Sequence, residues 1–248
     1  MDLGDGLTWI LLAAATLLGS SVQGAVGFGL GFTVVPLLAV VEPLAIPTVP
    51  LLLGMSLLLG TLVRDFRALD RRGSLLMMAG RAPGTVVGAA LLALVAPHLL
   101  GLLVGAVLLA TIAVSAARQA PPLNWRTQVA AGFASGVMGT AAGVGGPPAS
   151  LAYRGQPGPV MRATVGAALL AGTVMSLAAV VLMGRWDWRH AAMAAILLPV
   201  ALLGLRLSGF LNDRLTPGRL QAAVLGLGLV AALAAIADAV LHTVAGAA

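Results

Sequence analysis

The sequence contains no cysteine, which excludes disulfides, thiolate metal sites and thiol catalysis. It contains no lysine either: all 14 basic residues are arginine, a pattern we read as codon bias toward a GC-rich genome rather than as chemistry. Charge is scarce, at 9% of residues against 60% hydrophobic, and the mean hydropathy is +1.04. That is too little polar material to cover a water-soluble globule. In a soluble protein the net charge of +6 would suggest nucleic acid. Here the arginines sit in short loops, where they set membrane topology, so a lipid bilayer and no nucleic acid is the expected partner. Histidine is limited to His98, His190 and His242, which share no ligand spacing. Glu42 and Asp238 lie near helix ends, and no carboxylate or histidine sits mid-span. No metal, cofactor or catalytic centre is expected. A proton relay through side chains has no carriers, which leaves substrate protonation or a cation held by backbone carbonyls for coupling.

Long apolar runs fill the space left by these absences. Leu44 to Val63, Ser74 to Ala96, Leu99 to Ala117, Val160 to Met183, His190 to Gly209 and Gly218 to Leu241 each approach the roughly 20 residues that cross about 30 Å of hydrocarbon. The N-terminus, with Asp2 and Asp5, lacks the basic region of a cleavable signal peptide, so the run from Leu7 is expected to stay as the first membrane helix. The fold class is an all-α polytopic membrane protein.

The chain is also a tandem duplication. Gly24 to Gly31, GAVGFGLG, is echoed by Thr140 to Pro147, TAAGVGGP, with Gly27 and Gly143 offset by 116 residues (143 − 27). At the same offset Trp9 meets Trp125, Pro43 meets Pro159, Pro83 meets Pro199 and Gly88 meets Gly204. We place a first repeat at 1–117, a linker at 118–124 and a second repeat at 125–248. Each reads as a glycine-broken helical hairpin followed by three spanning helices. The piece from Phe32 to Val41 is only about 15 Å long, half a bilayer, and is therefore re-entrant or sharply tilted. If each half crosses an odd net number of times, 11 arginines lie inside and only Arg185 and Arg189 outside; parallel halves put 8 inside and 5 outside. The positive-inside rule favours the inverted arrangement.

Broken helices at matching places in two halves point to a transporter's binding site. Unwound backbone at membrane depth is tolerated only where protein or a water-filled cavity surrounds it, and helix N-termini at the breaks would offer N–H groups to an anion. The bland alternative is close helix packing, the reading we give Gly80, Gly84 and Gly88, and Gly101 and Gly105. Ser20, Ser21, Gln23, Thr33, Ser135, Thr140 and Ser150 gather around the breaks. They offer donors without permanent charge, or bond to nearby helix carbonyls. Arg81 lies eight residues into an apolar run, where a charge is costly. It either pairs with an anionic substrate or snorkels toward the face near Arg72, about 13 Å away along the helix. Its repeat counterpart is Leu197.

The stretches Gly19 to Pro36, GSSVQGAVGFGLGFTVVP, and Gly136 to Pro148, GVMGTAAGVGGPP, resemble the paired glycine motifs of the sulfite exporter TauE/SafE family of membrane transporters. The resemblance covers essentially the whole chain. It implies passage of small anions, such as sulfite, sulfoacetate or related sulfur oxyanions, across a bacterial inner membrane. The matching positions are Gly24, Gly27 and Gly29, then Gly139, Gly143, Gly145 and Gly146; the chain departs at Pro147-Pro148, where many relatives have further glycine. The expected substrate-binding set is Gln23, Gly24, Gly27, Phe28, Gly29, Thr33, Arg81, Thr140, Gly143, Gly145, Gly146 and Ser150. A passive anion channel and a membrane scaffold stand as alternatives. Gly132 to Gly136 resembles a serine nucleophile turn too loosely, without a mid-span histidine base, to favour an intramembrane enzyme. A homodimer stays open, because lipid covers exposed apolar surface as readily as a subunit does.

Overall fold

A computed structural model describes residues 5–96, 99–116 and 119–214, with scattered positions between 226 and 237. Among these residues there are helices and no strand. In chain order the helices are α1 (Gly6–Val26), α2 (Leu30–Val41), α3 (Thr48–Asp65), α4 (Arg71–Leu94), α5 (Leu100–Ala116), α6 (Trp125–Ala142), α7 (Gly146–Ala152), α8 (Gly158–Leu182) and α9 (Trp188–Arg214). Five are long and apolar enough to cross a membrane: α1, α3, α4, α8 and α9. The expected last span, 218 to 241, falls largely outside the described residues, although the described positions within it are helical. Arg118, Arg219, Asp2, Asp238, His98 and His242 also lie outside them.

Helix boundaries follow local chemistry that hydropathy does not see. The helix expected from Ser74 begins at Arg71, because the Asp70 carboxylate accepts from Gly73 N at 3.0 Å and so caps the first turn. The helix expected from Leu44 begins at Thr48, after a short 3-10 turn over Pro43–Ala45. Asn124 opens α6 with a reciprocal cap: its Oδ1 accepts from Arg126 N at 2.9 Å and Thr127 N at 3.1 Å, while Thr127 Oγ1 accepts from Asn124 N at 3.1 Å. At the breaks, α1 and α6 stop on Gly27 (φ 92°) and Gly143 (φ 75°), left-handed positions that favour glycine.

Packing can be compared across the 116-residue offset. α4 lies along α6, and its copy α9 lies along α1, the copy of α6. Both pairs run parallel: Gly80, Gly84 and Gly88 meet Val129, Phe133 and Val137, and Gly204 meets Leu17 and Ser20 as Gly24 meets Leu205 and Ser208. The corresponding helices α3 and α8 run antiparallel, since Arg162 Nε donates to Asp65 at 2.7 Å and a Cβ at Gly166 would lie 3.9 Å from Thr61 Oγ1.

Each hairpin turns back on itself. Near the end of α7, the Tyr153 hydroxyl accepts from Gln128 Nε2 at 2.9 Å and donates to Asp70 Oδ2 at 2.8 Å, so α7 returns to the end of the bundle where α4 and α6 begin. That end also holds the Asp65–Arg162 pair and Arg154, whose Nη2 donates to Ser115 O at 3.1 Å. Correspondingly, α2 ends at Glu42 beside His190 near the start of α9, 3.9 Å apart, with Trp9 close by. The apolar core is built around α1, α2 and α3 and includes Leu197 of α9. Large apolar side chains such as Ile10, Val86 and Leu182 are 66%, 68% and 87% exposed, as lipid contact requires.

Candidate functional site

The site is built on the α4–α6 seam. A Cβ at Gly80, Gly84 or Gly88 would collide with the carbonyls of Val129, Phe133 and Val137, and one at Gly132 or Gly136 with those of Met77 and Arg81. Small residues on both helices let the backbones touch, which sets Ser135 beside Arg81. Arg81 is 2% exposed and stands about 15 Å along α4 from its start. The side chain does not reach the face in the snorkelling manner. Its Nη1 donates to Ser135 Oγ, and that hydroxyl donates to Gly145 O at 2.5 Å.

Nothing among the described residues neutralises this guanidinium. No carboxylate stands within ion-pair distance, and Nε has no hydrogen-bond partner. Three glycines cradle it from separate elements. A Cβ at Gly139 would lie 2.8 Å from Nη2 and one at Gly145 3.0 Å from Nη1, while one at Gly172 of α8 would overlap Nε and Cδ. A buried cation is tolerable only with a partner charge or a full set of acceptors, so this arrangement suits a mobile anion as the missing partner.

Arg81 opens on a cavity of about 60 Å³ between the two breaks. Gln23, Gly27, Phe28 and Gly29 line it from the first break, and Gly143, Gly145 and Gly146 from the second. The breaks pack closely: a Cβ added at Gly31 would lie 2.9 Å from Val144 Cγ2, and one at Gly146 2.6 Å from Phe28 Cβ. Eight of the expected site residues are thus brought together.

Four are not. Gly24 packs against Leu205 and Ser208 of α9. The Thr33 hydroxyl reaches the carbonyls of Ala15 and Leu30 at 2.8 and 3.0 Å. Thr140 pairs with Ser176 Oγ at 2.8 Å, which in turn donates to Gly172 O at 2.9 Å. Ser150 lines a different pocket. A hydroxyl in an apolar bundle takes the nearest acceptor, and sequence position near a break does not say which one that is.

The expected nest of N–H donors also takes another form. Gln23 Oε1 accepts from Leu30 N at 3.2 Å, and Phe32 N donates to Gly29 O at 3.0 Å, so the start of α2 spends donors internally. Pro147 and Pro148 carry no N–H in the first turn of α7. The donor that dominates the cavity is the arginine. Sequence reasoning missed Gly172 and Thr173 of α8, the latter also lining the cavity; neither lies near a glycine break, and neither carried a signal.

No curated protein and no solved structure matches the chain. The family model described as sulfite exporter TauE/SafE matches residues 11–235. With that match over nearly the whole length, joined to a polytopic helical fold, the chain belongs to the sulfite exporter TauE/SafE family of membrane transporters.

Proposed function

We propose that the protein moves a small oxyanion of sulfite's size across the membrane, binding it between the two glycine breaks with Arg81 as charge partner. The observation that carries this reading is the guanidinium itself: 2% exposed, without a carboxylate partner among the described residues, and opening on a cavity. The cavity's size supports the substrate class. About 60 Å³ is room for a handful of water-sized groups at roughly 10–15 Å³ each, which suits a four- or five-atom oxyanion better than a sulfonate with a carbon chain.

The repeats, 1–117 and 125–248, act in this reading as an inverted pair. Support comes from the antiparallel course of the copies α3 and α8, and from two hairpins that return to opposite ends of the bundle. Arg64, Arg67, Arg71, Arg72, Arg126, Arg154 and Arg162 gather toward one end, and Arg185 and Arg189 toward the other. The first end is then cytoplasmic and the membrane a bacterial inner membrane.

The test is sulfite uptake into proteoliposomes containing only this protein. Saturable flux is expected, and Arg81→Gln should lower it about a hundredfold through loss of charge-assisted hydrogen bonds. Undiminished flux through a folded Arg81→Gln variant would sink the assignment. A passive facilitator is favoured by one observation: no carboxylate stands among the described residues lining the cavity. Flux that stays linear in sulfite concentration would select that reading over a carrier.

A further inference from the structure

A second pocket lies between the central cavity and the arginine-rich end of the bundle. It measures about 120 Å³, is lined by Ser115, Ser150, Arg154 and Met161, and shares the walls Phe28 and Pro147 with the central cavity. Its position follows from the fold: Ser115 ends α5, Arg154 follows α7 and Met161 opens α8, all at the end where Tyr153 meets Asp70.

Ser150 is what sets this pocket apart. Six other buried serines direct their hydroxyls onto a carbonyl: Ser20 onto Thr16, Ser21 onto Leu17, Ser115 onto Thr111, Ser176 onto Gly172 and Ser208 onto Leu205 in the preceding turn, and Ser135 onto Gly145 across the second break. Ser150 is 7% exposed, lines the pocket, and has no hydrogen-bond partner among the described residues. A buried hydroxyl left unpaired costs stability unless a ligand or water completes it. Across the same pocket Arg154 is held in place by its bond to Ser115 O at 3.1 Å. A hydroxyl donor and a guanidinium lining one pocket match a small oxyanion by charge-assisted hydrogen bonding.

We propose that this pocket is a second station for the same class of small oxyanion, entered from the arginine-rich end and separated from the central cavity by Phe28 and Pro147. The inference rests on the transport reading above, since a station matters only on a path that leads to Arg81. Phe28 suits the dividing role because it is 8% exposed and its Cβ stands where a side chain at Gly146 would be, so displacement of its ring would join the two spaces.

Selenite, an isostere of sulfite with an anomalous scatterer, tests this directly in crystals of the full chain. The expected result is two selenium peaks, one beside Arg81 and one between Ser150 and Arg154, the second disappearing in Ser150→Ala. A single peak at Arg81 overturns the station and leaves the central site standing. A single peak at Ser150 supports the station and overturns the central site, and no peak overturns both. In proteoliposomes Ser150→Ala should weaken the apparent affinity for sulfite added at the arginine-rich end about tenfold, one charge-assisted hydrogen bond, with an unchanged or higher melting temperature. A lower melting temperature with unchanged affinity would mark Ser150 as structural and overturn the proposal.

Discussion

At the first break Gln23 folds over the start of α2 and accepts from Leu30 N. At the second break the same repeat position is Gly139, and the room a side chain would need there is taken by the Arg81 guanidinium. The divergence continues around the copy. Ser135, which holds Arg81, corresponds to Gly19, where the Thr33 hydroxyl occupies the equivalent room. Gly172, over which Arg81 passes, corresponds to Ser56, which bonds quietly to Leu52 O at 3.1 Å. Arg81 corresponds to Leu197, 2% exposed within the apolar core. What the two copies share, the left-handed glycine caps and the parallel seams, is frame. Where they differ, one break satisfies its own polar groups and the other holds an unmatched charge, and on the proposed reading that difference marks where the anion binds.

The largest effect is expected from forcing the copies to match. Leu197→Arg would bury a second guanidinium in the apolar core, in the place of a side chain that is 2% exposed, at a cost of about 3 kcal/mol or more. Loss of the monodisperse peak on size-exclusion in detergent is the readout. The reverse exchange, Arg81→Leu, should abolish flux yet hold or raise the melting temperature, because it removes an uncompensated buried charge. If Arg81→Leu instead unfolds the protein, the guanidinium is a structural strut. A smaller effect separates Gly172 from Ser56. The Cβ of Gly172→Ala would push Arg81 off Ser135 and should cut sulfite flux about tenfold, one charge-assisted hydrogen bond. Ser56→Ala removes only a bond within its own helix and should leave flux within about twofold. Equal losses in the two variants would show that the copies contribute alike.

The frame was legible because its causes are local. Gly27 and Gly143 end their helices in a conformation that other residues resist, so a repeat of glycine at fixed offset announces a repeat of the break. Apolar runs disclosed the spans, while their starts moved with Asp70 and the prolines at 43 and 47, whose effects depend on individual hydrogen bonds. Arg81 was visible as a charge inside an apolar run. Its surroundings were not, because Gly139, Gly145 and Gly172 matter for what approaches them from another helix, and no spacing along the chain encodes that. Thr33, Thr140 and Gly24 lie near the breaks in sequence but do not line the cavity, because the packed carbonyl, hydroxyl or helix that each meets is set by tertiary contact rather than by spacing.

The smallest predicted effect concerns how the two hairpins are anchored. The second is tied at its return by Tyr153, which donates to Asp70 Oδ2 and accepts from Gln128 Nε2. The matching positions of the first repeat, Leu12, Leu37 and, for Asp70, Trp186 of the second, are apolar. Tyr153→Phe keeps the ring's packing but strands the Gln128 amide and removes one acceptor bond from Asp70, which retains Gly73 N. The expected loss is about 1 kcal/mol, read as a modest fall in melting temperature. Because the Arg81 cradle does not include Tyr153, the apparent affinity for sulfite should change by less than about twofold, roughly 0.4 kcal/mol. A large affinity change from Tyr153→Phe would mean that the anchor sets the position of Gly145, and that the second break differs from the first in its mounting as well as in its charge.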